Sequence, residues 1–193
     1  LRGLVGSEMC IRDRFTRNPI VLFVLIPLAL FFVYQRFSYK EASKRNRRDV
    51  YLMNISILIY GIAMSMIFGF WNFLLLQSVV TGVSGSLGVW LFYVQHQFED
   101  TYWRSDEEWN YTDCAMQGSS FYKLPAVMNW FSGNIGYHHI HHLSSRIPNY
   151  HLRACHEAES FFQQVPELTL RKSLKSLSLR LWDEDRQKLI GYP

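Results

Sequence analysis

Charge is missing from three long stretches of this 193-residue chain. Residues 19–35, 51–71 and 73–95 hold no Asp, Glu, Lys or Arg. A surface helix of a soluble domain needs a polar face, so these runs exclude an ordinary soluble fold. Cysteine is also scarce. Cys10, Cys114 and Cys155 make no CxxC pair and no even set, which excludes a disulfide scaffold and fits a reducing compartment. The opening residues, LRGLVGSEMCIRDR, hold no clean apolar core of a secretory signal. Residues 1–14 look like a translated adapter tail, and the natural chain is expected to begin further upstream. No repeat and no low-complexity segment occurs. No HExxH occurs, which excludes the zinc-protease helix. No histidine precedes His96.

What is present is apolar and aromatic, with local clusters of charge. Residues 51–71 are 21 uncharged residues, roughly 31 Å as a helix, close to the hydrocarbon thickness of a bilayer. Tyr51 and Trp71 stand at its ends, where interfacial aromatics belong. Residues 73–95 are again long enough to cross. The short gap between the two runs predicts a tight helical hairpin. Residues 19–35 are short for a span and carry Pro27, so they read as a short span, a re-entrant piece or an interfacial helix. Arg36, Lys40, Lys44, Arg45, Arg47 and Arg48 fall in one loop between apolar flanks. That pattern argues for a cytoplasmic juxtamembrane segment rather than for nucleic-acid binding. Two spans later the chain returns to the same side, so residues 96–193 are read as cytoplasmic. Gly82, Ser84, Gly85, Ser86 and Gly88 on the second span suit close helix packing, with a groove for a slender ligand as the alternative.

In the polar part, residues 149–164 read as a helix after Pro148 with Asn149 a candidate cap. Residues 167–182 place Leu170, Leu174, Leu177 and Leu181 three and four apart among basic residues, which predicts a basic amphipathic helix. Trp103 and Trp109 read as interfacial anchors. The fold class expected is therefore an all-α integral membrane protein, a helical hairpin plus a cytoplasmic helical region.

That region carries a histidine cluster. Five of the seven histidines lie between Gly133 and His151, in GNIGYHHIHHLSSRIPNYH. If HHIHH is helical, His138, His141 and His142 stand at i, i+3 and i+4 on one face. Imidazole lone pairs converging on one point bind a metal, and neutral imidazole is the commonest such ligand. All-imidazole ligation suits Zn, Cu, Fe or Ni, so the spacing alone leaves the metal open. His139 points roughly 100° from His138 on the wheel, but its place three before His142 keeps it open as well. His151 and His156 read as variable or solvated positions.

WLFYVQHQFEDTYW (Trp90–Trp103), followed by GNIGYHHIHHLSSRIPNYHL, resembles the C-terminal half of membrane fatty acid desaturases, nearest the bacterial acyl-lipid Δ12/ω6-like type. The likeness runs from about Phe15 to the end. It implies a di-iron centre held by histidines at the cytoplasmic face, with O2 as co-substrate and two electrons from a donor such as ferredoxin. It also implies membrane lipid acyl chains as substrate and no nucleic acid as partner. By that likeness His138, His141 and His142 match the third histidine box and His96 an added ligand after the last span, whereas His139 is not a ligand. Glu99 and Asp100 are candidates to orient ligating imidazoles, and Asn134 to hold a metal-bound water or cap the helix. Two earlier histidine boxes of that family have no counterpart here, so residues 15–193 are expected to be a C-terminal fragment without turnover of its own. The competing readings are a related membrane di-iron hydroxylase or ketolase, and a non-enzymatic zinc-binding membrane protein.

Overall fold

The computed structural model describes residues 18–104 and 107–191. The adapter-like tail at 1–14, Phe15 and Asp106 lie outside the described residues. The described chain divides into two compact units, one ending at Trp90 and one beginning at Leu91.

The first unit opens with a π-helical turn, Val21–Leu25, running into α1, Ile26–Phe32. Pro27 is the cause: its ring displaces the carbonyl it would face, and the ladder widens just before it, so that the Ile26 N–H reaches back to the Val21 carbonyl. A short 3₁₀ turn, Tyr34–Arg36, closes the segment. Two long helices follow, α2 (Lys44–Phe68) and α3 (Phe70–His96), 25 and 27 residues, each apolar and long enough to cross a membrane. Ser43 caps α2 by accepting from the Asn46 N–H at 3.1 Å. Gly69, at φ +81°, separates the helices in a conformation that favours glycine. Asn72 donates to the Phe68 carbonyl that the break leaves free, at 3.1 Å. Beyond the turn the Tyr60 ring meets Phe73 edge-on, 5.8 Å between centres, as a hairpin requires.

The small-residue stripe packs at Gly85 and Ser86. A Cβ on Gly85 would stand 2.9 Å from the Pro27 Cβ and 3.0 Å from the Phe31 ring, and Ser86 bonds to the Phe23 carbonyl. Gly82 and Gly88 meet nothing within 4 Å. Gly85→Val is therefore expected to push α1 off α3 at a cost of about 1–3 kcal/mol, the usual range for overpacking. Gly82→Ala should be near neutral by comparison. Thermal unfolding in lipid discs checks the pair.

The second unit starts with the last turn of α3, Leu91–His96. It continues with α4 (Tyr111–Gln117), β1 (Phe121–Lys123), α5 (Ala126–Phe131) and α6 (His138–Leu143). After a 3₁₀ turn, Asn149–His151, come α7 (Leu152–Ala158), α8 (Ser160–Gln163), β2 (Glu167–Thr169) and α9 (Leu170–Ser173). A hairpin of β3 (Leu181–Asp183) and β4 (Lys188–Ile190) closes the chain. β1 pairs in parallel with β2, Phe121 opposite Glu167, and β3 pairs antiparallel with β4. The helical expectation holds for the bulk of the chain, with these two small sheets added to it. Asn110 caps α4 by accepting from the Thr112 and Asp113 N–H groups at 2.9 and 3.1 Å.

Two helix expectations need correction. The run 149–164 is helical but broken at Glu159, whose backbone is extended, and Pro148 rather than Asn149 precedes its first turn. The amphipathic helix expected over 167–182 does not form. Glu167–Thr169 is taken by strand pairing, Thr169 caps a single turn by accepting from the Lys172 N–H, and a 3₁₀ turn, Leu174–Leu177, follows. Leu170 and Leu174 are exposed, while Ser173 and Ser176 are buried. The Tyr122 hydroxyl reaches Ser173 Oγ at 2.9 Å and Tyr93 donates to the Ser176 carbonyl, so the chain packs here through its small polar residues.

The core beneath the histidine helix is Tyr137, Ile140 and Leu152, with Phe121, Ile147, Cys155 and Phe162 packed on it. Fully burying each large side chain contributes about 1.5–3 kcal/mol. That core holds α6 in place.

Candidate metal centre

Four devices set the histidine helix. Gly133 and Asn134 both take positive φ, +63° and +58°, turning the chain sharply before α6. Gly136 then lies against β1: its carbonyl accepts from the Tyr122 N–H at 2.8 Å, and an added Cβ would fall 2.5 Å from the Tyr122 carbonyl oxygen. Tyr137 stacks on Phe121, 4.9 Å between ring centres. At the far end of the helix the Tyr111 hydroxyl bonds to the carbonyls of His142 and Leu143, at 2.7 and 3.0 Å. Those carbonyls belong to the last turn, which has no helical donor of its own.

So fixed, α6 presents two imidazoles to the end of α3. The Nε2 atoms of His96 and His138 stand 3.0 Å apart, those of His142 and His138 3.1 Å, and those of His142 and His96 3.2 Å. Three nitrogens spaced this closely can all lie about 2.1 Å from one ion, the usual metal–imidazole distance. His96 is pre-oriented for this. Its Nδ1 lies 3.0 Å from the Gly118 carbonyl, to which it donates, leaving the Nε2 lone pair for the cluster. The Phe92 ring, 4.9 Å from the His96 ring and 6.5 Å from that of His138, walls the cluster with apolar surface. His138 is buried and His142 exposed, so the group opens to one side, and a three-ligand ion keeps positions for other ligands.

Electrostatics favour the metal-ready form. Burial, reinforced by His96, His142 and His141, pushes His138 down to about 3. Burial and then His96 and His141 lower His142 too. Both are therefore neutral near pH 7 and offer lone pairs without losing a proton. His138 Nδ1, the atom that carries the proton when Nε2 is a ligand, is buried without a hydrogen-bond partner among the described residues.

His141 is not in the triad. Its ring lies 5.9 Å from that of His138 and nearly parallel to it, at 24°. His139 points the other way, into the core. It is fully buried, its Nε2 is 3.2 Å from His156 Nδ1, and burial followed by His156 pushes it down to about 4. His156 corrects the solvated-face expectation: it packs on Phe121 at 4.6 Å and on Tyr137 at 5.3 Å. His151 is exposed beside Tyr150.

The three residues expected around the ligands make their bonds elsewhere. Glu99 pairs with Lys175 and lies 4.0 Å from Lys188, and Lys175 holds its carboxyl below the usual carboxylate range. Asp100 lies 4.0 Å from Lys188. Asn134 donates to the Asn149 carbonyl at 3.1 Å. Orientation of His96 comes instead from a backbone carbonyl, that of Gly118, and a carbonyl leaves no mark in a sequence. Tyr111 was equally unflagged, though its place after the capping Asn110 was a readable helix start.

Comparison with known proteins agrees with the histidine pattern. The family model described as Fatty acid desaturase matches residues 11–170. A curated protein of Bacillus subtilis (strain 168), named Fatty acid desaturase, is 48% identical over 179 residues, 93% of this chain and 51% of that relative. The chain thus spans about half the length of the curated relative it matches. No solved structure matches the chain.

Proposed function

The chain belongs to the fatty acid desaturase family, and from that premise we propose that its histidines form part of a di-iron centre that desaturates lipid-linked acyl chains. The observation that carries this reading is the convergence of three Nε2 atoms, from His96, His138 and His142, to within 3.2 Å of one another. Iron held there would supply, with O2, two electrons and two protons, the oxidising power to take two hydrogens from a CH2–CH2 pair and leave an alkene and two waters. An unactivated methylene has no acidic proton and no electrophilic centre, so no side chain of the usual acid–base kind could do this alone.

The residues have distinct tasks. His138 and His142, one helical turn apart, offer their lone pairs from one face of α6, and His96 closes the set from the end of α3. Gly118 fixes the His96 tautomer. Phe92 gives the centre an apolar wall on which a methylene chain can lie. We assign His141 to the second iron, because it shares the helix with the triad but its ring stands apart from it. Four imidazoles do not saturate two irons, so further donors are needed beyond these four. Asn134, Glu99 and Asp100 are left as residues that hold the surrounding segments in place. The basic segment between Arg36 and Arg48 supports a cytoplasmic metal side by the positive-inside rule, where a ferredoxin-like donor would deliver electrons.

The test is the fatty acid profile of a bacterium expressing the gene in its genomic context, read by gas chromatography with mass detection. A new double bond that requires iron and disappears with His138→Ala is expected. An unchanged profile would sink the proposal, and a hydroxylated product would move it to the sibling reaction.

A further inference from the structure

The first unit holds a cavity of about 380 Å³ that the metal chemistry does not use. Phe31 and Phe32 from α1, Ile57, Tyr60 and Gly61 from α2, and Phe73 and Leu74 from α3 make its apolar walls. Its size falls within the roughly 300–1,000 Å³ usual for small-molecule sites. One wall is polar: Gln77, Ser78 and Thr81 line it, with the Gln77 amide donating to Thr81 at 3.0 Å. Arg36 also lines it.

Arg36 is the unusual member. Its Nη1 donates to Asn54 Oδ1 at 3.2 Å, and Asn54 returns a bond to the Arg36 carbonyl at 2.8 Å, which holds the guanidinium against α2. Its Nε is buried with no partner, and no carboxylate pairs with it among the described residues. Asn54 stands about 7.5 Å of helix rise beyond Asp49, the last charge before the apolar run. That is the depth at which lipid headgroups meet acyl chains. Arg36 also begins a segment, 36–49, with six cations and only Glu41 and Asp49 against them. A fixed, uncompensated guanidinium at the mouth of an apolar cavity is complementary to an amphiphile with an anionic head.

We propose that this cavity binds an acidic glycerophospholipid, its phosphate at Arg36 and an acyl chain along Phe31, Gly61 and Phe73. Guanidinium matches phosphate geometry, and no carboxylate among the described residues competes for Arg36. The bound lipid would tie α1 to the hairpin. The site shares no residue with the histidine cluster, and its test requires no iron, so its failure would leave the metal reading untouched.

The experiment is native mass spectrometry of the purified full chain, titrated with phosphatidylglycerol or phosphatidylcholine of identical chains. Retention of phosphatidylglycerol should be roughly five- to tenfold the greater, about what one well-placed cation contributes near a membrane. Arg36→Gln should bring it down to the phosphatidylcholine level. Gly61→Leu should weaken both lipids while leaving the charge intact, because an added Cβ already meets the Phe73 ring at 3.8 Å and the rest of the leucine would fill the cavity. Lys40→Gln with Lys44→Gln should leave the ratio unchanged. The proposal is overturned if Arg36→Gln keeps the wild-type ratio, if the lysine pair reproduces the Arg36 loss, or if glycerol phosphate without chains displaces the lipid as well as the lipid itself. Should Arg36→Gln fail to fold, undiminished lipid binding by Gly61→Leu would overturn it alone.

Discussion

Replacing His138 by alanine is expected to abolish metal binding at the triad, whereas replacing its neighbour His139 should leave metal binding and weaken the fold. Changes to groups that merely orient a ligand typically cost 10–100-fold in metal affinity, so loss of His138, whose Nε2 is 3.0–3.1 Å from both partners, should exceed about 100-fold. His139 faces the opposite way. It is fully buried, bonded to His156 at 3.2 Å and set edge-on to Phe121. Its removal leaves a cavity and takes from His156 its imidazole partner, at about 2–4 kcal/mol. Cobalt(II) titration of the full chain reads the first effect in its absorption spectrum, and thermal unfolding reads the second. His139→Ala with His156→Ala should cost less than the two single changes added, because they share one bond. Equal loss of cobalt affinity from His138→Ala and His139→Ala would refute the assignment of roles.

This contrast within HHIHH marks how far the residue order alone carries. The i, i+4 pair of His138 and His142 was readable from helical spacing, and the two long helices were readable because bilayer thickness sets their length. His141 also had the right spacing. It stands apart because the third nitrogen comes from His96, and the position of His96 favours the turn formed by His138 and His142. That depends on how α3 ends against Gly118, which no local pattern states. The same limit explains 167–182. Leucines at intervals of three and four suggest a helix, but β1 lies more than forty residues upstream and takes Glu167–Thr169 into a sheet. The burial of Ser173 and Ser176 instead of Leu170 and Leu174 goes with the Ser173 hydroxyl bonds to Tyr122 and to the Leu170 carbonyl and with the Tyr93 hydroxyl bond to the Ser176 carbonyl. Pro27 was legible as a disruption, yet the form it takes, a π turn before the proline, emerges only with the backbone in place.

The second large effect is expected at a residue that touches no metal. Gly136 ends the turn before α6, and the space where a Cβ would sit is already filled: the Tyr122 carbonyl oxygen lies at 2.5 Å and Asn129 Oδ1 at 2.8 Å. The first of these is backbone, in a strand paired to β2, and cannot swing aside as a side chain end could. Gly136→Ala must therefore break the bond from the Tyr122 N–H to the Gly136 carbonyl or lift the start of α6 from β1. Either outcome disturbs the Phe121–Tyr137 stack and the buried Ile140 behind it. A loss of about 3 kcal/mol or more is expected, the size reserved for overpacking against a rigid neighbour. Metal affinity should fall with it, because His138 is two residues away and a displacement of about 1 Å exceeds the tolerance of a preorganised ligand set. Gly133→Ala provides the comparison. Its positive φ of +63° imposes strain, but the nearest obstacle is the Asn149 amide at 2.9 Å, a side chain that can turn. It should cost about 1–2 kcal/mol and spare the triad. Thermal unfolding and cobalt titration on both variants decide between a turn that merely tolerates glycine and a backbone clamp that sets the proposed metal ligands.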